Sequence, residues 1–522
     1  MTRGYFLLAG IALLFLSACG RQETSVTLSP PPTSVNLPPA IISEGQPTAV
    51  TNNPAVETAA AASSPTPFET PTLAPTATSA SQPADSQSQP VAVDSLPATT
   101  HDLLFIADGA LKRWQAGARQ VVTLLPGGDE TADGQKRAAG QPLIVGDVTS
   151  YDLSQDGRRA LVARLTHSAN IANTAAAITT TLYTYELIYL DLETGSRRVL
   201  ATAVNDLSTP TFTLSPDGRR AAFGALSLGD GATQAVTDAR VYGQLYVMDT
   251  EAAAPPRQVD TCDGLCQSPV WHQDNNFFVF GDERGLLLYN VSASRPELLA
   301  AGDDGSQFGR FFGPISWAKN GRWLLLWLGA GIEGGQQAIF DVPSKQLMLI
   351  PHTLQYADPL YAEVTWMQDD RLFMVRAETA NGPALGETWR VNVDAGQVQR
   401  DESVVLSTDV IHPTAPVHWA DGRFGYGLLA ENGAPGAGLF RRIAFNEPAE
   451  RINAVPAALF APEIAWAPDG AGAAIAHEGW LYYAPANGAL SPANGALSPA
   501  NGALWELSTA VGRWAHSLTW LP

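Results

Sequence analysis

Leu214-Ser215-Pro216-Asp217-Gly218-Arg219-Arg220-Ala221-Ala222-Phe223 is the clearest copy of a pattern that this 522-residue chain repeats eight times. A large apolar anchor is followed, two residues on, by a tight turn built on Asp, Asn or Gly. The anchors are Leu153, Leu214, Trp271, Trp317, Trp366, Trp419, Trp466 and Trp520, spaced 46 to 61 residues apart. In the clearest copy Pro216 presets φ, Asp217 is able to bond its own backbone, and Gly218 accepts the left-handed conformation that closes a hairpin. Around it, TFTL (211–214), RRAAFGAL (219–226), QLYVMD (244–249) and PRQVDTC (256–262) read as four successive strands. Residues 148–203 and 461–509 follow the same plan. A repeat near 50 residues with four strands per copy predicts a β-propeller with one blade per copy.

The two ends of the repeat array complete each other. Residues 101–114 and 118–125 read as the later strands of a blade without its first strand, and 515–522 (AHSLTWLP) as a first strand without successors. Pairing 515–522 with 101–125 predicts one shared blade and a closed ring free of exposed sheet edges. The predicted fold is therefore an all-β, single propeller spanning 101–522, with eight four-stranded blades. Seven blades is the alternative if a degenerate copy does not form.

SPDGRRAAF followed by a QLYVMD-type strand resembles the WD-repeat-like propeller repeats of TolB and its relatives. The match is clean at 214–223, good at 153–163 and 466–476, and degenerate elsewhere. Blades ending in a Trp-Asp dipeptide are missing, and a Pro-rich segment stands where TolB carries an α/β domain.

The first hundred residues have a different character. Arg3 and the apolar run 5–18 have the layout of a signal peptide, too short for a permanent span of about 20 residues. The run ends in Leu16-Ser17-Ala18-Cys19-Gly20, which resembles the lipobox of bacterial lipoproteins. That resemblance implies cleavage after Ala18 and a lipidated Cys19. An ordinary cleaved signal with an incidental Cys is the alternative. Residues 21–100 hold 14 of the 38 prolines and few large apolar residues, so they are read as a disordered stalk. As a flexible coil it would reach about 50 Å. The expected localisation is outside the cytoplasm, lipid-anchored to the outer face of the membrane or within the envelope, with the propeller a monomer.

Composition narrows the function classes. A net charge of −20 repels phosphate backbones, which excludes nucleic acid as an expected partner. Apart from Cys19, the only cysteines are Cys262 and Cys266, a C-x3-C pair in a Gly-containing loop. In an oxidising compartment this spacing favours a small disulfide, and no His or Cys cluster offers the further ligands of a metal site. There is no G-x-S-x-G elbow, and His477-Glu478 has Leu481 where H-E-x-x-H needs its second His. Phosphate-binding glycine loops are absent too. No catalytic, cofactor or metal residue is therefore assigned, and His272 and His418, beside anchor tryptophans, are read as structural or solvent-facing.

Connector lengths give the ring two unlike faces. The A–B and most C–D turns are short. The B–C segments 166–180, 227–240, 329–335, 377–386 and 430–437, and the D–A segments 126–147, 261–268, 301–313 and 351–362, are long. Long loops around a channel mouth are where propellers bind. The segment 302–313 offers Asp303, Asp304, Phe308, Phe311 and Phe312 as a candidate binding loop, although such phenylalanines also tuck beneath their own loop. A near-triplicate of PANGALS at 485–504 enlarges one C–D turn. The expected role is a binding or scaffold module for a protein, peptide or glycan; a channel-centred hydrolase or lyase and a purely structural envelope component are the alternatives.

Overall fold

The computed structural model describes Val91–Ala92 and residues 99–522, except 130–143, 174–177, 230–242, 253, 263, 265, 294, 303–309, 330–334, 354–361, 380–381, 409–411, 430–436, 454–461, 487–504 and 508–510. The apolar run 5–18, Cys19 and nearly all of the predicted stalk thus lie outside the described residues, as does the PANGALS triplicate beyond Ala486. No helix among the described residues is long and apolar enough to cross a membrane.

Eight antiparallel sheets succeed one another along the chain, each a meander of strands A to D. Blade 1 is the shared one. Its A strand is His516–Trp520, and its B, C and D strands are Leu103–Ala107, Ala110–Gln115 and Gln120–Leu125. Leu103 pairs with Trp520 and Leu104 with Thr519, so the C-terminal strand joins the N-terminal ones. Val91–Ala92 adds a short fifth strand beside Gln120–Val121, reaching back into the segment read as stalk. The eight A strands are Val148–Leu153, Phe212–Leu214, Gln267–Trp271, Phe311–Trp317, Ala362–Trp366, His412–His418 and Glu463–Trp466 for blades 2 to 8, with His516–Trp520 for blade 1.

Period-two alternation makes the ring, because each strand sends successive side chains to opposite faces. In blade 1, Leu103, Phe105 and Ala107 pack with Ala474 and Tyr483 of blade 8, whereas Leu104 and Ile106 pack with Val162 and Ile188 of blade 2. The same division recurs throughout. Eight apolar clusters fill the eight interfaces between neighbouring blades, and the eighth, blade 8 against blade 1, closes the circle. A fully buried Leu or Phe contributes about 1.5–3 kcal/mol, so each interface is a substantial adhesive surface.

The repeated turn has a structural task that its regularity does not announce. In seven copies the fourth turn residue donates its N–H to the first turn residue's carbonyl: Gly157 to Ser154, Gly218 to Ser215, Asn275 to His272, Gly321 to Ala318, Asp370 to Met367, Gly422 to Trp419 and Gly470 to Ala467. That fourth residue has positive φ in each copy, and Asn275 and Asp370 take the place of Gly at 63°. The turns also bond sideways to the next blade. Gln155 N–H meets the Pro216 carbonyl at 2.8 Å, and Asp217 N–H meets Asn275 Oδ1 at 2.9 Å. Asn320 N–H meets Asp370 Oδ1 at 2.9 Å, and Arg423 Nη2 meets the Asp469 carbonyl at 2.7 Å. The A–B face is thereby lashed into a collar. His272 belongs to it: its Nε2 lies 3.0 Å from the Gly321 carbonyl and its ring stacks on Phe277.

Candidate functional site

The A strands of blades 2, 3, 4 and 5 touch in succession, as do those of blades 6, 7, 8 and 1, and together they form the innermost wall of the ring. Each runs from the face of the D–A and B–C connectors to the collar. On that loop-rich face stand the roots of the connectors 130–143, 230–242, 303–309, 330–334, 354–361, 430–436 and 454–461, themselves outside the described residues.

Near the loop-rich mouth the A strands bring together four titratable side chains from four consecutive blades: Glu363, His412, Glu463 and His516. Each is the first or second residue of its strand and keeps part of its surface accessible. Protein nonetheless surrounds Glu363, Glu463 and His516 on most sides. Burial pushes the Glu463 carboxyl up to about 7, against the pull of the backbone N–H groups it accepts, and raises Glu363 as well. Burial also holds His516 down to about 4, with the nearby Asp147 opposing the shift.

Both carboxylates are committed to the backbone of the next blade. Glu363 accepts Thr414 Oγ1 at 2.6 Å and Ala415 N–H at 2.7 Å. Glu463 accepts Ser517 N–H at 2.8 Å and Leu518 N–H at 2.6 Å. Ala415 and Ser517 have positive φ of 49° and 55°, and each sits where the A strand slips register against its B strand. A bulge turns N–H groups out of the ladder, and the carboxylate receives them. Asp152 does the same for blade 3, accepting Thr213 Oγ1 at 2.8 Å and Leu214 N–H at 2.9 Å. The sequence carried a signal for two of these groups, since Glu363 and Glu463 each precede an anchor tryptophan by three residues.

Blade 2 modifies the loop-rich face most. Residues 166–173 and 178–180 are strand, not loop: strands B and C of this blade continue as Arg159–Asn173 and Ile178–Asp191, paired out to Asn173 and Ile178. The matching strands of blade 3 have six residues each. Thr166–Asn173 adds roughly 25 Å of ribbon at 3.3 Å per residue. His167, Ser168 and Asn170 are exposed along it. The signal for this arm was the β-branched and aromatic run Ile178–Tyr185. At its base Ser227–Leu228, from the B–C connector of blade 3, pairs with Ala203 and Val204 of blade 2 and ties the two blades together.

Of the candidate loop, Asp303, Asp304 and Phe308 lie outside the described residues. Phe311 is 37% exposed and opens the A strand of blade 5. Phe312, one residue on, is buried in the core between blades 4 and 5 among Val279, Leu326 and Phe340. This corrects the expectation of a contact residue there: strand alternation sends Phe312 inward. Cys262 and Cys266 form a disulfide in the D–A connector between blades 3 and 4, with Cα atoms 5.4 Å apart. Among the described residues no group of three or more His, Cys, Asp or Glu is placed to hold a metal ion.

No protein-family model and no curated protein matches the chain. Solved structures do. Dipeptidyl peptidase 4 of Porphyromonas gingivalis matches at 13% identity over 77% of this chain, with a TM-score of 0.47. This chain spans 61% of that peptidase's length. A periplasmic gluconolactonase of Pseudomonas aeruginosa matches at 14% identity, covering 81% of this chain and 99% of its own, with a TM-score of 0.37. Oligogalacturonate lyase of Vibrio parahaemolyticus matches at 12% identity, covering 71% and 80%, with a TM-score of 0.36. These likenesses are of fold alone, and what the chain is follows from its own sheets: an all-β, eight-bladed propeller.

Proposed function

We propose that this protein is a binding module, held to the outer side of a membrane by lipid on Cys19 and a Pro-rich stalk, that takes a protein, peptide or glycan partner on its loop-rich face. TolB-like propeller repeats are part of this reading. The observation that carries it is the contrast between the two faces: one is lashed turn to turn, whereas the other carries the long connectors and the blade 2 arm. A rigid ring with one elaborated face suits recognition, because loops and arms on a fixed scaffold position contacts at little entropic cost.

Glu463 and His516 support a second reading, a channel-centred hydrolase or lyase, because a carboxyl held near neutrality is suited to act as a general acid. The hydrogen bonds of Glu463 to Ser517 and Leu518 weigh against it, since proton transfer would disturb the joint between blades 8 and 1.

Cross-linked pull-down from source-cell membranes separates the two. The intact protein is compared with one whose arm is shortened by removing 167–182. A partner recovered only with the intact arm supports the binding reading. Recovery of no partner, together with turnover of a peptide or glycan library that Glu463→Gln abolishes, would establish the enzyme instead.

A further inference from the structure

Backbone pairing along the blade 2 arm leaves one strand edge open. At the base of the arm Leu165 still bonds toward the inner strand: its N–H meets the Asp147 carbonyl at 2.8 Å, and its carbonyl accepts the Gly146 N–H at 2.7 Å. The A strand makes its last ladder pair there, Val148 with Arg164. From Thr166 to Asn173, strand B has strand C as its only strand partner among the described residues. A bulge lies at Leu165–His167, and the pairing from His167 to Asn173 is regular. Every second residue of that run therefore turns both its N–H and its carbonyl away from the ribbon.

The composition of the arm leaves this edge unguarded. Exposed edges are ordinarily blunted by lysine, proline or inward-pointing charge. An ion pair between Arg164 and Glu186 marks the base of the arm, and from Leu165 to Tyr185 the sequence contains no Asp, Glu, Lys, Arg, Pro or Gly. Ser168 and Asn170 are exposed and Ala169 is half-buried. Their side chains are too short to bar a second backbone at the roughly 4.8 Å spacing of paired strands.

Two other edges of this chain show what such a site accepts. Val91–Ala92 adds to Gln120–Val121 of blade 1, and Ser227–Leu228 adds to Ala203–Val204 of blade 2, each as an antiparallel fifth strand. The run Thr166–Asn173 is longer than either and carries no such addition among the described residues.

The occupant has to offer donors and acceptors alternating along an extended line. A polypeptide strand does so, whereas glycan hydroxyls do not repeat in that pattern. A second copy of the chain would bring another net charge of −20 alongside the first, and the same charge attracts a strand flanked by Lys or Arg. From the open edge, its lack of guarding residues and the two strands already added elsewhere, we infer that Thr166–Asn173 binds an extended, uncharged segment of a partner protein, basic at its flank, as an added β-strand. Such recognition rests on the loop-rich face being the binding face, and it selects peptide over glycan.

Fluorescence anisotropy of the purified full-length protein tests this. The probe is a labelled peptide copying Ile178–Tyr185, the run that already pairs with His167–Asn173, with two lysines appended. Two further peptides carry N-methyl groups on one or the other alternate set of amides. The parent peptide is expected to bind saturably. One methylated set should weaken binding about tenfold or more and the other leave it unchanged, because only one side of an added strand faces the edge. Removing 167–182 should abolish binding. No binding, an equal effect of the two methylated sets, or undiminished binding after that removal overturns the proposal. So does a dimer in sedimentation that the removal dissolves, since a second copy would then hold the edge. The methylated pair decides the matter even where the shortened protein does not fold. If the peptide fails while membranes still yield a partner only to the intact arm, the binding reading stands and strand addition falls.

Discussion

Ala415 is held from both sides: Glu363 of blade 6 accepts its N–H at 2.7 Å, and Trp466 of blade 8 donates its indole N–H to its carbonyl at 2.8 Å. Three consecutive blades thus meet on one strained residue of the A strand of blade 7. Ser517 of blade 1 is held in the same manner, by Glu463 at its N–H and by the Tyr151 hydroxyl of blade 2 at its carbonyl. Other anchor tryptophans reach across too, Trp520 to the Ala465 carbonyl at 2.8 Å and Trp419 to the Ala467 carbonyl at 2.9 Å. The joints of the inner wall are polar, whereas the bodies of the blades adhere through apolar clusters.

Removing either grip on Ala415 should therefore be felt. Glu363→Ala leaves an inward-turned N–H unpaired and is expected to lower unfolding free energy by about 1–3 kcal/mol. Trp466→Phe keeps the ring and removes only the donor, for a loss of about 1 kcal/mol. Because both act on one peptide unit, the double variant should depart from additivity by at least about 0.5 kcal/mol in urea unfolding. Strict additivity would mean that Ala415 does not couple the blades.

Closure makes a second expectation. Deleting 516–522 removes the inner strand of blade 1 together with Leu518, Trp520 and Leu521 from two apolar clusters. The truncated protein should melt well below the full-length chain and with a broader transition. Equal melting temperatures would show that the ring does not depend on this strand.

The pH dependence follows from two neighbouring groups of opposite kind. Glu463 has a folded value near 7, above its ordinary 4.5, so its contribution is fully present below 4.5 and is lost as pH rises to 7. His516 has a folded value near 4, below its ordinary 6.5, so its contribution is present above 6.5 and is lost as pH falls to 4. Between 4.5 and 6.5 the two oppose each other and mask one another. Glu463→Gln should abolish the loss on the alkaline side, and His516→Gln the loss on the acidic side. Urea midpoints measured from pH 4 to 8 check both; a Glu463→Gln profile parallel to the parent's would refute the assignment.

Blade 6 contains a buried ion pair of another sort. Glu387, wholly buried, accepts Arg376 Nη2 at 2.8 Å, Arg400 Nη1 at 3.1 Å and Trp389 Nε1 at 3.1 Å. Burial alone would raise its carboxyl, but the bonds and charges of the two arginines outweigh that and hold it below the usual range. Arg376→Met should destabilise by about 3 kcal/mol, because it strands the carboxylate, whereas Arg376→Met with Glu387→Met should recover most of the loss. Chemical denaturation of the three proteins decides between an essential pair and a replaceable one.

Much of this fold was legible because the repeat writes its turns in residues with few alternative uses. Asp217-Gly218 dictates a turn, and AHSLTW at one end needs the strands at the other. The arm was missed since Thr and Ala runs around 166–180 resemble a loop in composition, and only the β-branched stretch from Ile178 gives the strand away. Phe312 was misplaced because a strand begins at Phe311, and a shift of one residue reverses which ring faces out.

The innermost strand of the first blade comes from the opposite end of the repeat array to its three partners. Until His516–Trp520 has emerged, Leu103 and Leu104 have no partner on their inner side, and the last interface has only one complete wall. Contacts between residues some 400 positions apart are slow to form, since their loop must close before they yield any stabilisation. A growing chain can therefore fold its middle blades one after another but cannot close the ring before 516–520 is present. The completed circle is an event in time, reserved for the moment when both ends of the array are present together.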